Sequence, residues 1–472
     1  MFSRAFQLHS RQWGVLPTTV HNALFSTAVR SRNVVEEMTD RGLLAQITSP
    51  DLLRRTETST SIYCGVDPTA KSLHLGNLVT LMGLLHFGIH GHQAIALVGG
   101  ATGSIGDPSG RKSERVPLTR DVLEQNVAGI ERQIHRFFEN GTTYAARHGY
   151  TSVTKPPKVL NNYEWFSGMS ALEFLGDVGR YARVNTMLGK ESVKSRIEST
   201  QGISFTEFSY QLLQAYDFWY LYQNHECRVQ LGGSDQWGNI TAGIDMINRK
   251  RGLVEEESLE DRAFGITIPL LLTSSGEKFG KSAGNAVWLD ESMTSYFDFY
   301  QFFMKATDED VAKYLSMFTL LQQDQIKEIM HEHQRNPENR IAQQELANQT
   351  TELVHGVDGL HKAQTATKVL FGGDLGSVTG EEIVQAFKDD SSRLVQLDRS
   401  QVIGSGLDGI ATLAKATKSK SDAQKRIKAG GLYLNNARIA DPRYKVVESD
   451  LLDGQVCVIR CGKSSYHLVQ VV

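Results

Sequence analysis

The sequence predicts an α/β protein built on a parallel sheet, with a wholly helical region and a small α+β region behind it. Three observations predict this. Short apolar runs at 61–66 and 94–98 flank a segment from Leu73 in which Leu78, Leu81, Met82 and Leu85 recur at helical spacing, a βαβ pattern. From about 295 to 370 the periodicity is helical throughout, as in DEDVAKYLSMF and QQELANQTTELVHG. Beyond about 405, helix-like ATLAKATKSKSDAQKRIKAG gives way to the short strand-like runs LYLNN, QVCVIR and SSYHLVQV.

Composition narrows the classes. At 472 residues there is room for about three domains. A net charge of -3 provides no chain-wide attraction to nucleic acid, so any basic patch is local. Cys64, Cys227, Cys457 and Cys461 are too few and too scattered for a disulfide scaffold and show no zinc-type spacing with histidine, so reduced thiols are expected. Cys457 and Cys461, an even number of residues apart in a strand-like run, should pack on one face. No apolar run is long enough to span a bilayer, so no membrane partner is expected. At the start, Arg4, Arg11, Arg30 and Arg32 precede the first acid, Glu36, and Phe2, Phe6, Leu8 and Trp13 can form an apolar helix face. Residues 1–33 therefore read as a mitochondrial transit peptide, with a disordered basic tail as the alternative.

In chain order, a helix is expected over VVEEMTDRGLLAQI from Val34. The strand at 61–66 meets a turn, Asp67-Pro68-Thr69, which sets His74, Gly76 and Asn77 at a helix N-terminus. Such a terminus offers unpaired N–H groups and partial positive charge, which suit phosphate, and Gly76 would let a ligand approach the backbone. The plain alternative is a β–turn–helix unit with a surface histidine. The second strand enters GGATGSIGDPSGRKSER, which lacks both G-x-G-x-x-G and G-x-x-x-x-G-K-[ST]. It carries Asp107, with Arg111, Lys112 and Arg115 behind it, cations that can close over a polyphosphate or stay solvated. A helix is expected over 120–140, then an insertion ending at Pro156-Pro157, then NNYEWFSG with Asn162 and Trp165, then a charged helical stretch over 170–200.

In GISFTEFSYQLLQAYDFWYLY, Tyr210, Gln214 and Asp217 share a helix face among apolar neighbours, either a satisfied core network or the polar end of a ligand pocket. A strand at 228–231 enters GGSDQWGN, with Gly233, Asp235 and Gln236. A strand at 266–272 precedes a loop at 274–284, in which Lys278 and Lys281 flank Gly280. Those lysines can swing onto phosphate or remain solvated charges. Residues 371–404, rich in Gly, Asp and Ser, read as a linker. From 405 on, eleven Lys and Arg face six Asp and Glu. Lys418, Lys420, Lys425, Arg426 and Lys428 concentrate on one helix and its approach, a footprint for a phosphate backbone or simply a solvated face.

Each motif alone is weak, but their order is specific. His74-Leu75-Gly76-Asn77 resembles the HIGH motif of class I aminoacyl-tRNA synthetases, and Lys278-Phe279-Gly280-Lys281-Ser282 resembles their KMSKS motif. Between them, GGATGSIGDPSG, GISFTEFSYQLLQAYD and GGSDQWGNI match blocks of the bacterial and mitochondrial tyrosyl-tRNA synthetases nearly letter for letter, and the resemblance runs from about residue 34 to the C-terminus.

It implies a Rossmann-like catalytic domain over 34–294, a helical anticodon-binding domain over 295–370, a linker, and an S4-like RNA-binding domain over 405–472. It also implies that tyrosine and ATP, accompanied by Mg²⁺, form tyrosyl-adenylate, and that the tyrosyl group passes to tRNA(Tyr). Family membership implies a homodimer with its interface within 130–200, and the leader points to the mitochondrial matrix. The family pattern puts His74, Asn77 and Thr69 at the ATP phosphates, and Lys278, Lys281, Arg111 and Arg115 on the departing pyrophosphate. Gly65, Asp67, Gly76, Gly233, Asp235 and the Leu272 backbone would line ATP. Tyr63 and Asp217 would meet the tyrosine hydroxyl, and Asp107, Tyr210, Gln214 and Gln236 its ammonium end, with Asn162 also in the tyrosine site. The five cations at 418–428 would contact tRNA. No dedicated protein metal site is expected.

Four positions depart from the majority motif. Asn77 replaces a histidine and cannot charge. Phe279-Gly280 replaces Met-Ser. Arg111 stands where lysine is frequent. The sister reading, a tryptophanyl enzyme, is disfavoured by Tyr63 with Asp217, because an indole has no phenolic hydroxyl to match. An RNA-binding scaffold remains the alternative from another class.

Overall fold

The apolar runs become the strands of one sheet. The computed structural model describes residues 32–110, 113–150, 155–200, 202–252, 258–276, 279–282, 285–371, 373–388, 390–462 and 465–472. Residues 1–31 of the expected transit peptide, Arg111 and Lys278 lie outside the described residues, and of Lys281 only the backbone is described. Strands β1 (Gln46–Ile47), β2 (Ser61–Val66), β3 (Gln93–Val98), β4 (Lys158–Asn161), β5 (Cys227–Gly233) and β6 (Phe264–Ile268) lie in the order β1-β6-β5-β2-β3-β4. All pairs are parallel except β1 on β6. Every residue of β3 and β6 is buried, as expected of a sheet covered on both faces.

Helix α1 (Leu75–Ile89) joins β2 to β3, and α2 (Arg120–Arg147) lies between β3 and β4. Helix α3 (Phe205–Asn224) leads into β5, and α4 (Trp237–Arg251) follows it. The chain builds β2, β3 and β4 toward one edge, then resumes on the other side of β2 with β5. The order therefore reverses between β2 and β5, and in open α/β sheets the crevice beyond the strand ends at that point receives the ligand. Residues 65–67 and 233–235 stand there. A short antiparallel pair, β7 (Lys281–Ser282) and β8 (Asn285–Ala286), follows β6.

Several expected bounds change. The helix from Val34 stops at Asp40, and Gln46 and Ile47 pair with β6 instead. Helix α2 runs on past 140 to Arg147, because Tyr144 and Ala145 continue its buried stripe. The strand expected at 266–272 is 264–268, since Pro269 has no N–H to give a ladder. The expected linker is instead structured. It holds a helix, Gly380–Phe387, and strand β9 (Leu394–Leu397). With β10 (Leu432–Leu434), β11 (Ala437–Arg438), β12 (Val456–Cys461) and β13 (Ser465–Val471) it forms a second sheet, ordered β11-β10-β12-β13-β9. Cys457 and Cys461 both enter one apolar cluster there, as their spacing predicts, and all four cysteines are free.

The helical region comprises Tyr296–Met304, Val311–Phe318, Gln323–Arg335 and α5 (Ile341–Leu370). No core boundary falls at 294: one apolar cluster takes in Leu81, Phe137, Phe279, Phe318 and Leu346. Arg41, 1% exposed, fastens the same joint. Its guanidinium donates to the carbonyls of Ser316 (3.2 Å), Thr319 (3.0 Å) and Leu321 (3.1 Å), and to Glu37. Arg41→Ala strands three carbonyls and a half-buried carboxylate. It is expected to cost about 3 kcal/mol, read as a lower urea midpoint. An unchanged midpoint would show that the joint does not depend on it.

Candidate active site

Tyr63 stands on β2 with its ring 5.3 Å from that of Phe218 on α3. Its buried hydroxyl has no hydrogen-bond partner among the described residues. An unpaired buried hydroxyl costs roughly 1–3 kcal/mol, a cost that a bound partner can remove. Asp217, also buried, accepts from Trp165 Nε1 (2.9 Å) and Asn162 Nδ2 (3.0 Å). Asn162 in turn accepts from the Ala101 N–H (2.7 Å) and donates to Thr102 Oγ1 (3.0 Å). Thr102 donates to Asp67 Oδ1 (2.7 Å), and Tyr210 donates to Asp67 Oδ2 (2.8 Å). Asp67, expected on the adenosine side, is thus bonded into the network of residues expected around tyrosine.

A second cluster adjoins it. Asp107 accepts from Gln236 Nε2 (2.7 Å) and the Ser109 N–H (2.9 Å). Gln236 Oε1 accepts from Gln214 (3.2 Å) and Asn239 (3.1 Å), while the buried Gln214 Oε1 has no partner among the described residues. Gly65, Thr69 and Asp235 are exposed at the strand ends. Six of the seven residues expected to hold tyrosine therefore fall into two adjoining networks at the switch point, and the seventh, Tyr63, packs on Phe218 with its hydroxyl unpaired among the described residues.

Burial raises Asp217 to about 8, against the hydrogen bonds from Asn162 and Trp165 that pull it down. Loss of hydration likewise raises Asp67 to about 6, opposed by the hydrogen bonds from Thr102 and Tyr210. Both carboxyls hold a proton more firmly folded than unfolded. The stability they contribute is therefore full below about pH 4 and is lost as pH climbs toward 6 for Asp67 and 8 for Asp217. The melting temperature of the ligand-free protein is expected to fall between pH 5 and 8, and to fall less in Asp217→Asn. Equal slopes in a thermal-shift series would show that Asp217 does not titrate in that range.

The two motif segments meet. Gly280 has φ +85°, and a Cβ there would lie 2.9 Å from Leu75 Cβ and 3.4 Å from the Gly76 nitrogen, so only glycine fits. Phe279 anchors the same loop among Phe302, Phe303, Tyr314 and Phe318, stacking on Phe318 at 5.0 Å. Both departures from Met-Ser therefore have a packing reason. The helix start differs from expectation. The Leu75 N–H is taken by Val287 O (3.0 Å), the Asn77 N–H by His74 O (2.8 Å), and Asn77 Oδ1 accepts from the His74 N–H (3.1 Å). A Cβ on Gly76 would strike the His74 ring at 2.8 Å, so this glycine makes room for the imidazole. The His74 ring lies 6.0 Å from Trp288. Arg115 Nε reaches Asp107 O at 3.5 Å, and the Leu272 carbonyl accepts from Lys313 at 3.4 Å.

The model of the family described as tRNA synthetases class I (W and Y) matches residues 55–372, and that of the tyrosine–tRNA ligase SYY-like C-terminal domain matches 382–469. The mitochondrial tyrosine–tRNA ligase of Saccharomyces cerevisiae is 40% identical over 453 residues, 94% of this chain and 89% of that one. This chain belongs to the tyrosine–tRNA ligase family. The tyrosine–tRNA ligase of Roseiflexus castenholzii is 43% identical over 443 residues, 93% of this chain and 99% of that one. A crystal structure of a C-terminally truncated mitochondrial tyrosyl-tRNA synthetase from Aspergillus nidulans is 37% identical, with a TM-score of 0.66 over 72% of this chain and 94% of that one.

Within this tyrosine–tRNA ligase, the five basic residues expected at tRNA lie apart from the crevice in the fold. Lys420, Lys425, Arg426 and Lys428 are exposed on α6 (Lys420–Lys428), and Lys418 is exposed just before it. Ala423 and Ile427 are buried on the helix's inner side, and Arg426 is paired with Asp422 at 3.1 Å. Sequence reasoning assigned no role to Trp165, Thr102 or Asn239. Each sits inside a quoted block, but only the folded contacts reveal it as a partner of an expected site residue. Among the described residues, no group of three or more His, Cys, Asp or Glu could hold a metal ion.

Proposed function

We propose that this ligase works in the mitochondrial matrix. It activates tyrosine with ATP, releasing pyrophosphate, and passes the tyrosyl group to the 3′ end of tRNA(Tyr). The observation that carries the tyrosine reading is the buried, unpaired hydroxyl of Tyr63 beside the α3 face that bears Asp217. Tyr63 and Asp217 then pair with the substrate phenol. Asp107, Tyr210, Gln214 and Gln236 hold its ammonium, with Asp67 bonded to Tyr210. An indole has no phenolic hydroxyl for that pair, which favours tyrosine over tryptophan.

A carboxylate is already ionised at neutral pH, so activation needs no general base. The residues act by positioning and charge stabilisation. His74, Asn77 and Thr69 hold the ATP phosphates. Lys278, Lys281, Arg111 and Arg115 take the charge of the departing pyrophosphate. Gly65, Gly233, Asp235 and the Leu272 backbone line the adenosine, and Mg²⁺ enters with ATP. Lys418, Lys420, Lys425, Arg426 and Lys428 contact the tRNA backbone. ATP–pyrophosphate exchange with each amino acid tests the reading. Tyrosine should support it well above all others, and equal exchange with tryptophan would overturn the pocket assignment.

The matrix reading is supported by the mitochondrial names of the yeast and Aspergillus relatives and by the arginine-bearing, acid-free stretch before Glu36. A homodimer is supported by large apolar side chains exposed between 172 and 205: Leu172 (82%), Leu175 (57%), Val184 (63%) and Phe205 (77%). Leu172→Asp with Phe205→Asp should shift sedimentation from dimer to monomer. A dimer that survives both would place the interface elsewhere.

A further inference from the structure

Three residues on one face of α2 grip the backbone segments that flank the two motifs. Gln133, 6% exposed, accepts at Oε1 from the Leu73 N–H (2.9 Å) and Ser72 Oγ (3.1 Å). Its Nε2 donates to Asp290 Oδ2 (3.2 Å). Leu73 immediately precedes His74, and Asp290 lies just beyond the β7–β8 pair that carries Lys281. The two segments also bond to each other, Leu75 N–H to Val287 O (3.0 Å) and Leu289 N–H to Leu73 O (2.8 Å). One turn along α2, Arg136 donates to Glu291 (2.7 Å) and to Leu289 O (3.0 Å). One turn back, a Cβ on Gly129 would lie 2.6 Å from Lys71 O, so helix backbone and loop are in direct contact. The spacing 129, 133, 136 places all three on one helix face.

We infer that Gln133 is a positioning residue for tyrosine activation: it ties the His74 side and the Lys281 side of the phosphate site to one rigid helix and so sets their separation. This rests on the reading above of His74 and Lys281 as phosphate contacts. An amide suits the task because it accepts from an N–H and donates to a carboxylate at once. The tyrosine slot is braced separately, through Asn162 and Gln236. Loosening Gln133 should therefore slow the ATP step and spare tyrosine affinity.

Gln133→Glu keeps the acceptor but turns a second carboxylate toward Asp290. Adding Asp290→Asn restores a donor from the opposite side. In the full-length protein, Gln133→Glu should lower kcat/KM for ATP in pyrophosphate exchange about tenfold, with the tyrosine Kd changed by less than about twofold. The double variant should recover to within about threefold of the native rate. An unchanged exchange rate, a parallel loss of tyrosine affinity, or a double variant no better than the single one would overturn the inference. Should Gln133→Glu not fold, Gln133→Met removes all the side-chain hydrogen bonds of Gln133 without adding charge. The same loss is expected of it, and a native rate would overturn the inference. Lys281→Ala, run alongside, separates the two readings. Full exchange in that variant defeats the phosphate reading and the inference with it, whereas lost exchange there beside a native rate in the Gln133 variants defeats only the inference.

Discussion

Lys281→Ala is expected to slow tyrosyl-adenylate formation by about a hundredfold or more while tyrosine affinity stays within about twofold. As pyrophosphate departs, negative charge grows on its oxygens, and an ammonium that meets them then stabilises the transition state more than the ground state. Lys281 follows Gly280, whose close approach to Leu75 and Gly76 brings the lysine's backbone beside the start of α1. Its neighbour Phe279 is held in an aromatic cluster, so loss of the lysine side chain should leave the loop in place. Single-turnover adenylate formation and equilibrium tyrosine binding measure the two quantities. A collapse of tyrosine affinity would mean that the lysine acts in ground-state binding.

Tyr63→Phe and Asp217→Ala should both weaken selection of tyrosine over phenylalanine, with different effects on stability. The Tyr63 hydroxyl has no partner among the described residues, so Tyr63→Phe should leave the melting temperature unchanged or slightly higher. Selectivity should fall about tenfold, the worth of one neutral hydrogen bond. Asp217→Ala removes the buried carboxyl proposed to meet the substrate hydroxyl and should cost about a hundredfold in selectivity. It also leaves the donors of Asn162 and Trp165 unpaired, so stability should fall by about 2 kcal/mol. The ratio of exchange rates for tyrosine and phenylalanine, with a melting curve for each variant, checks both. Unchanged ratios in the two variants would refute the hydroxyl pocket.

Most of the residues proposed for this pocket could be singled out because strand ends and one helix face carry them. Tyr63 lies on a buried run, Tyr210, Gln214 and Asp217 recur at helical spacing, and Gln236 follows a glycine pair at the end of β5. Their partners were not legible. That Asp67 joins Tyr210 and Thr102, or that Gln133 spans Leu73 and Asp290, depends on contacts between segments far apart in the chain. Strand β9 was hidden for a similar reason: its exposed Gln396 and half-buried Leu394 and Val395 make little apolar signal, and pairing with β13 is what makes them a strand.

By itself, then, the sequence determined the chemistry on offer: which side chains stand at the strand ends, which helix faces are apolar, and which motif letters identify the family. Only the tertiary structure decided which hydrogen bonds those side chains make. It also decided that the helical region shares the catalytic core, and that the HLGN and KFGKS segments touch through Gly280. Periodicity along a chain reports which side of an element turns inward, whereas the identity of the group it meets there is set by how separate elements pack.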